Sequence, residues 1–259
     1  MLQRIKERIV KIRDDAVRMD SFLISAAAIN YKTFSAYKNM CNGETDVVIC
    51  APGPSLQEYK PISGCINIAL NRAFMYDKVA FDFVFAQDYD GIKMVSEELI
   101  KYKGNNCVKL LGRSDGRAKE IPESYAIKCN AKRFVTDSVL FHDGYKSRFV
   151  SDIEYRPIGG MPNVGMSVLQ FAAYLNPRKI YIVGCDMSGT HFVSGNQTES
   201  EKVAEKKEMD RTWNSKNREK LINKWKEIRD AITVFYPDIE IITVNPIGLK
   251  GIFKDYYQK

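Results

Sequence analysis

Asp46-Val-Val-Ile-Cys-Ala-Pro-Gly-Pro-Ser-Leu56 is an apolar run of strand length that stops at a glycine standing between two prolines. Four β-branched or small apolar residues in succession fit a strand buried on both faces, and Pro52-Gly53-Pro54 reads as a turn. A turn of this kind is expected to expose backbone N–H groups at the carboxyl end of the strand, where ligands of open α/β sheets gather. Ser55 is expected to cap the next helix and to offer its hydroxyl to a phosphate or ribose. The alternative is a plain tight strand-to-helix turn. The segment matches neither GxGxxG nor GxxxxGK[ST], which argues against a dinucleotide enzyme and a P-loop kinase.

Further runs of the same kind lie at Ile66 to Leu70, Phe83 to Ala86, Val108 to Leu111, Lys179 to Val183 and Ile239 to Val244, with helical stretches between them. That alternation predicts an α/β, Rossmann-like fold: a mainly parallel sheet flanked by helices, forming one domain over residues 41–259. Between the last two runs, residues 195–220 are densely charged and poor in apolar anchors, so a lid-like insertion is expected near residues 187–216. A helix from about Lys216 to Phe235 follows, with Leu221, Trp225, Ile228 and Ile232 on one face. At the other end, residues 1–40 form a basic amphipathic segment. Leu2, Ile5, Ile9, Ile12 and Ala16 recur every three to four residues among Arg4, Lys6, Arg8, Lys11 and Arg13. Such a stripe packs on its own domain, on a partner subunit, or on an anionic membrane surface.

With 259 residues, 45% of them hydrophobic and 27% charged, the chain can bury one sizeable core and is neither disordered nor fibrous. A net charge of +7 points to an acidic partner. The basic residues are interleaved with acids and not clustered with aromatics, which argues against nucleic acid. Six scattered cysteines without a CxxC pair read as reduced core thiols, and with only His142 and His191 a structural zinc is not indicated. The apolar runs are far shorter than the roughly 20 residues a spanning helix needs. Charges in Met1 to Arg8 occupy the place of a signal's apolar centre, so a cytoplasmic location is expected, including the inner face of the membrane.

Four strand ends carry the candidate chemistry. Asn71, after the second run, offers a donor and an acceptor to a base or ribose edge, or serves as a turn residue. The third run ends in Ala86-Gln87-Asp88-Tyr89-Asp90-Gly91. There Asp88 and Asp90 can hold a divalent ion bridging a diphosphate, or act as ordinary loop acids. Asn163 is an expected N-cap, with Val164 and Gly165 opening a helix whose N–H groups favour an anion; a capped core helix with Gly165 for close packing is the alternative. The fifth run ends at Cys185-Asp186 and leads to Ser188, Thr190 and His191, the last a candidate general base or a surface residue.

The order and spacing of Gly53-Pro54-Ser55-Leu56, Asn71 with Phe74, Asn163 to Asp186, Ser215-Lys216-Asn217 and Asn245-Pro246 resemble the bacterial lipooligosaccharide sialyltransferases of glycosyltransferase family 42. The related Maf and hydroxymethylpterin diphosphokinase-like proteins are resembled too, and the likeness covers roughly residues 46–250. The resemblance implies a Rossmann-like fold and a CMP-activated nine-carbon acid sugar, transferred with inversion and without an essential metal. It also implies that Gly53 to Ser55, Asn71 and Asn163 to Gly165 surround the nucleotide. The chain departs from the family at Pro52 and Gln87, each of which replaces an Asn, while Ser188 and Ser194 fall near the positions of two phosphate-binding tyrosines. Asn214 falls near the lid histidine and cannot act as a base, so either His191, Asp186 or Asp88 takes that role or the chemistry differs from the family's. The expected activity is therefore a glycosyltransferase using a nucleotide sugar, above all a CMP sugar, on a cell-surface or lipid-linked glycan, in a possible homo-oligomer. The alternatives are a magnesium-dependent pterin diphosphokinase-like phosphoryl transferase and a non-catalytic nucleotide-binding protein.

Overall fold

A computed structural model describes residues 2–113, 120–139, 144–187, 203, 207 and 215–259, with side chains from Asp15 onward except at Val139, Ser215 and Lys216. The opening apolar run becomes β1 (Asp46–Cys50), buried along its whole length. Burial on both faces explains why its residues do not alternate with polar ones. The other strands are β2 (Cys65–Leu70), β3 (Phe83–Ala86), β4 (Val108–Arg113), β5 (Lys132–Val135), β6 (Lys179–Val183), β7 (Glu240–Val244) and β8 (Lys254–Tyr256). They form one eight-stranded sheet in the order β5-β4-β3-β2-β1-β6-β7-β8. Every neighbouring pair is parallel. The expected α/β architecture is present, and β5 and β8, which the apolar runs did not reveal, form its two edges.

Helices α1 (Leu2–Phe34), α2 (Ser96–Lys101), α3 (Glu123–Lys128), α4 (Val164–Tyr174) and α5 (Ser215–Phe235) flank the sheet. On one face Val47, Ile49, Phe83 and Phe85 pack with Phe34 of α1, Phe171 of α4 and Trp225 of α5. On the other, Val48, Cys50, Val84 and Ala86 pack with Leu56, Phe74, Leu99 of α2 and Tyr125 of α3. Leu221, Trp225, Ile228 and Ile232 are all buried, as their spacing on α5 predicted.

The carboxyl-terminal third of α1 is docked on the domain. Asn30 is fully buried; its Oδ1 accepts the Val135 N–H at 2.7 Å and its Nδ2 donates to the Arg156 carbonyl at 2.7 Å. Phe34 meets the rings of Phe134 and Phe171 at 5.8 and 5.6 Å. Among the described residues, no helix is long and apolar enough to cross a membrane.

The chain winds outward from β1 to β5, then crosses by α4 to β6 on the other side of β1. Cys50 stands opposite both Ala69 and Val183, so the carboxyl ends of β2, β1 and β6 lie level. Between β1 and β6 the direction of winding reverses, and a crevice at such a point is the usual ligand site of an open parallel sheet.

Candidate functional site

The turn after β1 is held tightly against the end of β6. The Gly53 N–H donates to the Gly184 carbonyl at 2.8 Å, and the Ser55 N–H to Asp186 Oδ2 at 2.8 Å. The Leu56 N–H donates to the Gly53 carbonyl at 3.0 Å. Pro52 and Pro54 have no N–H to give. The expected row of open amides at Gly53 to Ser55 is therefore corrected: these donors are used inside the protein. Ser55 is corrected as well. Its hydroxyl donates to Asp186 Oδ1, and the 3-10 turn Pro54–Glu58 begins at Gly53 without a side-chain cap. Gly53 is required by this closeness, because a Cβ there would lie 2.3 Å from the Gly184 carbonyl oxygen and 2.7 Å from Asp186 Oδ2.

Asp186, only 6% exposed, is engaged by Ser55 through both oxygens and ties β1 to β6 across the point of reversal. The neighbouring Cys185 thiol is pushed up to about 12, by burial first and by the Asp186 charge second, so it stays a neutral thiol.

Asn71, directly after β2, has a φ of 48°, a left-handed conformation that Asn tolerates better than most residues. Its Oδ1 is buried and receives no hydrogen bond among the described residues. Gly91 is pressed against it: a Cβ on Gly91 would lie 2.5 Å from Asn71 Cγ. The Gly91 N–H donates to Asp88 Oδ1 at 3.1 Å, so Asp88 shapes the turn that covers Asn71. Asp90 pairs with Lys93 at 3.7 Å, both partners well exposed.

Gln87, after β3, reaches α4. Its Oε1 accepts the Ser167 hydroxyl at 2.7 Å, and that hydroxyl also lies 2.8 Å from the Gly159 carbonyl. Asn163 caps α4 as its position predicted, with Oδ1 accepting the Gly165 N–H at 2.8 Å. Gly165 itself is a packing residue, since a Cβ there would lie 3.2 Å from the Trp225 ring. The loop leading into α4 is fixed by two groups that sequence reasoning missed. Asp137 Oδ1 accepts the Gly160 N–H and the Ser147 hydroxyl, each at 2.5 Å, and Gln170 Oε1 accepts the Gly159 N–H at 3.1 Å. Gln170 was visible as a polar residue inside the apolar helix Val164–Tyr174; Asp137 gave no signal.

Gln87, Asn71, Gly53 and Asp186 thus follow the ends of β3, β2, β1 and β6, four consecutive strands of the sheet. At about 4.8 Å between strands this row spans roughly 15 Å, comparable with a bound nucleotide. Asn163 joins it through the Ser167–Gln87 bond of its helix. Ser188, Thr190, His191, Ser194 and Asn214, together with His142 and most of the expected lid, lie outside the described residues. A narrow cleft beside the row, with room for about one water molecule, is lined by Ser55, Asp186, Thr243 and Asn245. A wider open hollow is bordered by Tyr145, Lys146, Arg148 and Lys224.

No family model and no curated protein matches the chain. Among solved structures it is similar to the sialyltransferase CstII from Campylobacter jejuni in complex with a substrate analogue, CMP-3FNeuAc. Identity there is 12%, coverage 77% of this chain and 81% of that one, and the TM-score 0.46. The same enzyme with cytidine-5'-monophosphate aligns at 14% identity, over 77% and 79% of the two chains, with a TM-score of 0.46. The sialyltransferase in complex with trisaccharide acceptor and CMP aligns at 12% identity, over 77% and 80%, with a TM-score of 0.45.

Proposed function

We propose that this chain is a glycosyltransferase that moves a sugar from a CMP-linked donor, in the first place an acid sugar, to a cell-surface or lipid-linked glycan. The observation that carries the reading is Asn71, a buried amide oxygen at the end of a central strand without a hydrogen-bond partner among the described residues. An acceptor left in that state costs about 1–3 kcal/mol, and a donor from a ligand relieves it. The exocyclic amine of cytosine and the ribose hydroxyls are donors of that kind. Support also comes from the sequence likeness at Gly53 to Leu56, Asn71 and Asn163 to Asp186, and from the net charge of +7, which suits an anionic donor.

In this reading Asn71 and Gln87 hold the base and ribose, while Pro52, Gly53, Pro54 and Ser55 form a closed wall and not an amide cradle. Asn163, Val164 and Gly165 open α4 toward the phosphate, whose charge the helix dipole favours. Asp186 is a positioning residue that keeps the wall against β6. Its engagement by Ser55 leaves the general-base role to His191, and Ser188 supplies a hydroxyl for the leaving phosphate. The acceptor hydroxyl gives its proton to the base as its oxygen bonds the anomeric carbon, and the bond to phosphate breaks with its electron pair on CMP.

The test is a thermal-shift titration of CMP, CDP and ATP with and without magnesium. A ligand at 100 times its Kd stabilises the fold by about 2.7 kcal/mol. CMP is expected to raise the Tm without magnesium, and donor turnover to be lost in His191→Ala. No shift with any pyrimidine nucleotide, or a shift confined to ATP with magnesium, rejects the assignment.

A further inference from the structure

The hollow bordered by Tyr145, Lys146, Arg148, Lys224 and Glu227 has a volume of about 690 Å³. That is within the roughly 300–1,000 Å³ of small-molecule sites. On α5, Lys220, Lys224 and Glu227 follow one another at spacings of four and three residues and so share a face. Lys220 Nζ stands 6.0 Å from the centre of the Tyr145 ring, which brings a further cation to this border. Lys146, Arg148, Lys220 and Lys224 thus gather around one carboxylate, Glu227. That carboxylate is already engaged, because Lys224 Nζ donates to its Oε1 at 2.8 Å. Lys146 and Arg148 are exposed, and their side chains make no hydrogen bond or ion pair among the described residues. Arg156, Arg178 and Arg229, by contrast, each hold an aspartate. Lys224 is only 4% exposed. Its Nζ also donates to the Ser147 carbonyl at 2.5 Å, which leaves one of the three ammonium hydrogens without an acceptor among the described residues. A buried cation beside two open ones is unfavourable until an anion joins them.

The hollow lies at the same edge of the sheet as the candidate site. Its residues 145–148 belong to the connection that leaves the carboxyl end of β5, and α5 runs back toward the start of β7, so Lys220 and Lys224 in its first half stand near the carboxyl edge. Ser147 joins the two regions. It is fully buried, its carbonyl accepts Lys224, and its hydroxyl meets the Gly160 N–H on Asp137 Oδ1, each at 2.5 Å. Gly160 stands three residues before the Asn163 cap of α4. We propose that the hollow binds a phosphoryl group and, as an assignment that rests on the glycosyltransferase reading, that this phosphate is carried by the acceptor glycan. A phosphate monoester, at close to two negative charges, offsets the excess of cations better than a carboxylate does, and the Arg148 guanidinium can grip two of its oxygens at once.

The test is calorimetric titration of the full chain with galactose 6-phosphate, galactose and inorganic phosphate, each with and without saturating CMP. The sugar phosphate is expected to bind at least about tenfold tighter than either of the others, and to remain bound when CMP fills the donor site. Lys146→Gln and Arg148→Gln are each expected to weaken it about tenfold. Both side chains are exposed, so an unchanged Tm of the free variants serves as the folding control; Lys224→Met also removes buried contacts and is therefore not the deciding variant. A sugar phosphate that binds no tighter than galactose, is displaced by CMP, or binds both variants as tightly as wild type overturns the proposal. Inorganic phosphate binding as tightly as the sugar phosphate makes the hollow a site for the free ion and overturns the acceptor assignment. So do vesicles containing phosphatidic acid that bind the wild type and not Arg148→Gln, which is the lipid outcome. A chain that CMP does not stabilise, but whose sugar-phosphate binding is still lost in Arg148→Gln, loses the glycosyltransferase reading and keeps the phosphoryl site.

Discussion

Asn71 carries two costs in one side chain. Its φ of 48° costs a residue with a Cβ about 1 kcal/mol, and its Oδ1 is buried without a partner among the described residues. Asn71→Gly removes the amide and suits the backbone. The Tm is therefore expected to stay level while CMP affinity falls at least about tenfold by calorimetric titration; a variant that binds as tightly as wild type removes Asn71 from the site. Gly53 behaves in the opposite way. Gly53→Ala would drive a Cβ into the Gly184 carbonyl, which is fixed by the sheet, and should cost about 2–3 kcal/mol in denaturant unfolding. Both positions were legible in the sequence, because a glycine between prolines and an Asn after an apolar run are local signals. The Ser55–Asp186 pair was not, since its partners are 131 residues apart and only the sheet brings them together.

At the level of elements, α4 and α5 are joined where Gly165 lets the Trp225 ring approach. Trp225 is fully buried and its Nε1 donates to nothing among the described residues. Trp225→Ala is expected to cost about 3–5 kcal/mol, whereas Trp225→Phe keeps most of the contact, removes an unsatisfied donor and should cost under about 1.5 kcal/mol. Equal losses in the two, read from urea midpoints, would mean that the indole nitrogen has a partner. Six strands and α5 could be read from apolar runs and helical spacing, because those elements are buried along a face or on both. The edge strands escaped. Lys132-Arg-Phe-Val135 and Lys254-Asp-Tyr256 are short and half polar, as strands with one open edge are allowed to be.

For the whole molecule, the α/β class followed from the alternation of runs and helices, but the strand order did not, because apolar runs state burial and not neighbours. Buried and half-buried thiols add a pH dependence. Burial raises Cys41 and Cys65 from 9.0 to about 11, and Cys107 and Cys185 to about 12. Below pH 8 these groups are protonated in folded and unfolded chains alike. Above about pH 9 the unfolded chain releases protons that the folded chain keeps, so stability falls with rising pH until about pH 11–12. Denaturant midpoints should therefore drop steadily between pH 8 and pH 10.5, and equal midpoints would contradict the burial of these thiols. The position of β1 has one more effect, on synthesis. Its Val47 pairs with Ile180, so a ribosome releases five of the eight strands before the central strand gains its second neighbour. Such a high contact order makes for folding in milliseconds to seconds, and until Lys179–Val183 emerges the nascent chain carries an open apolar edge for chaperones to guard.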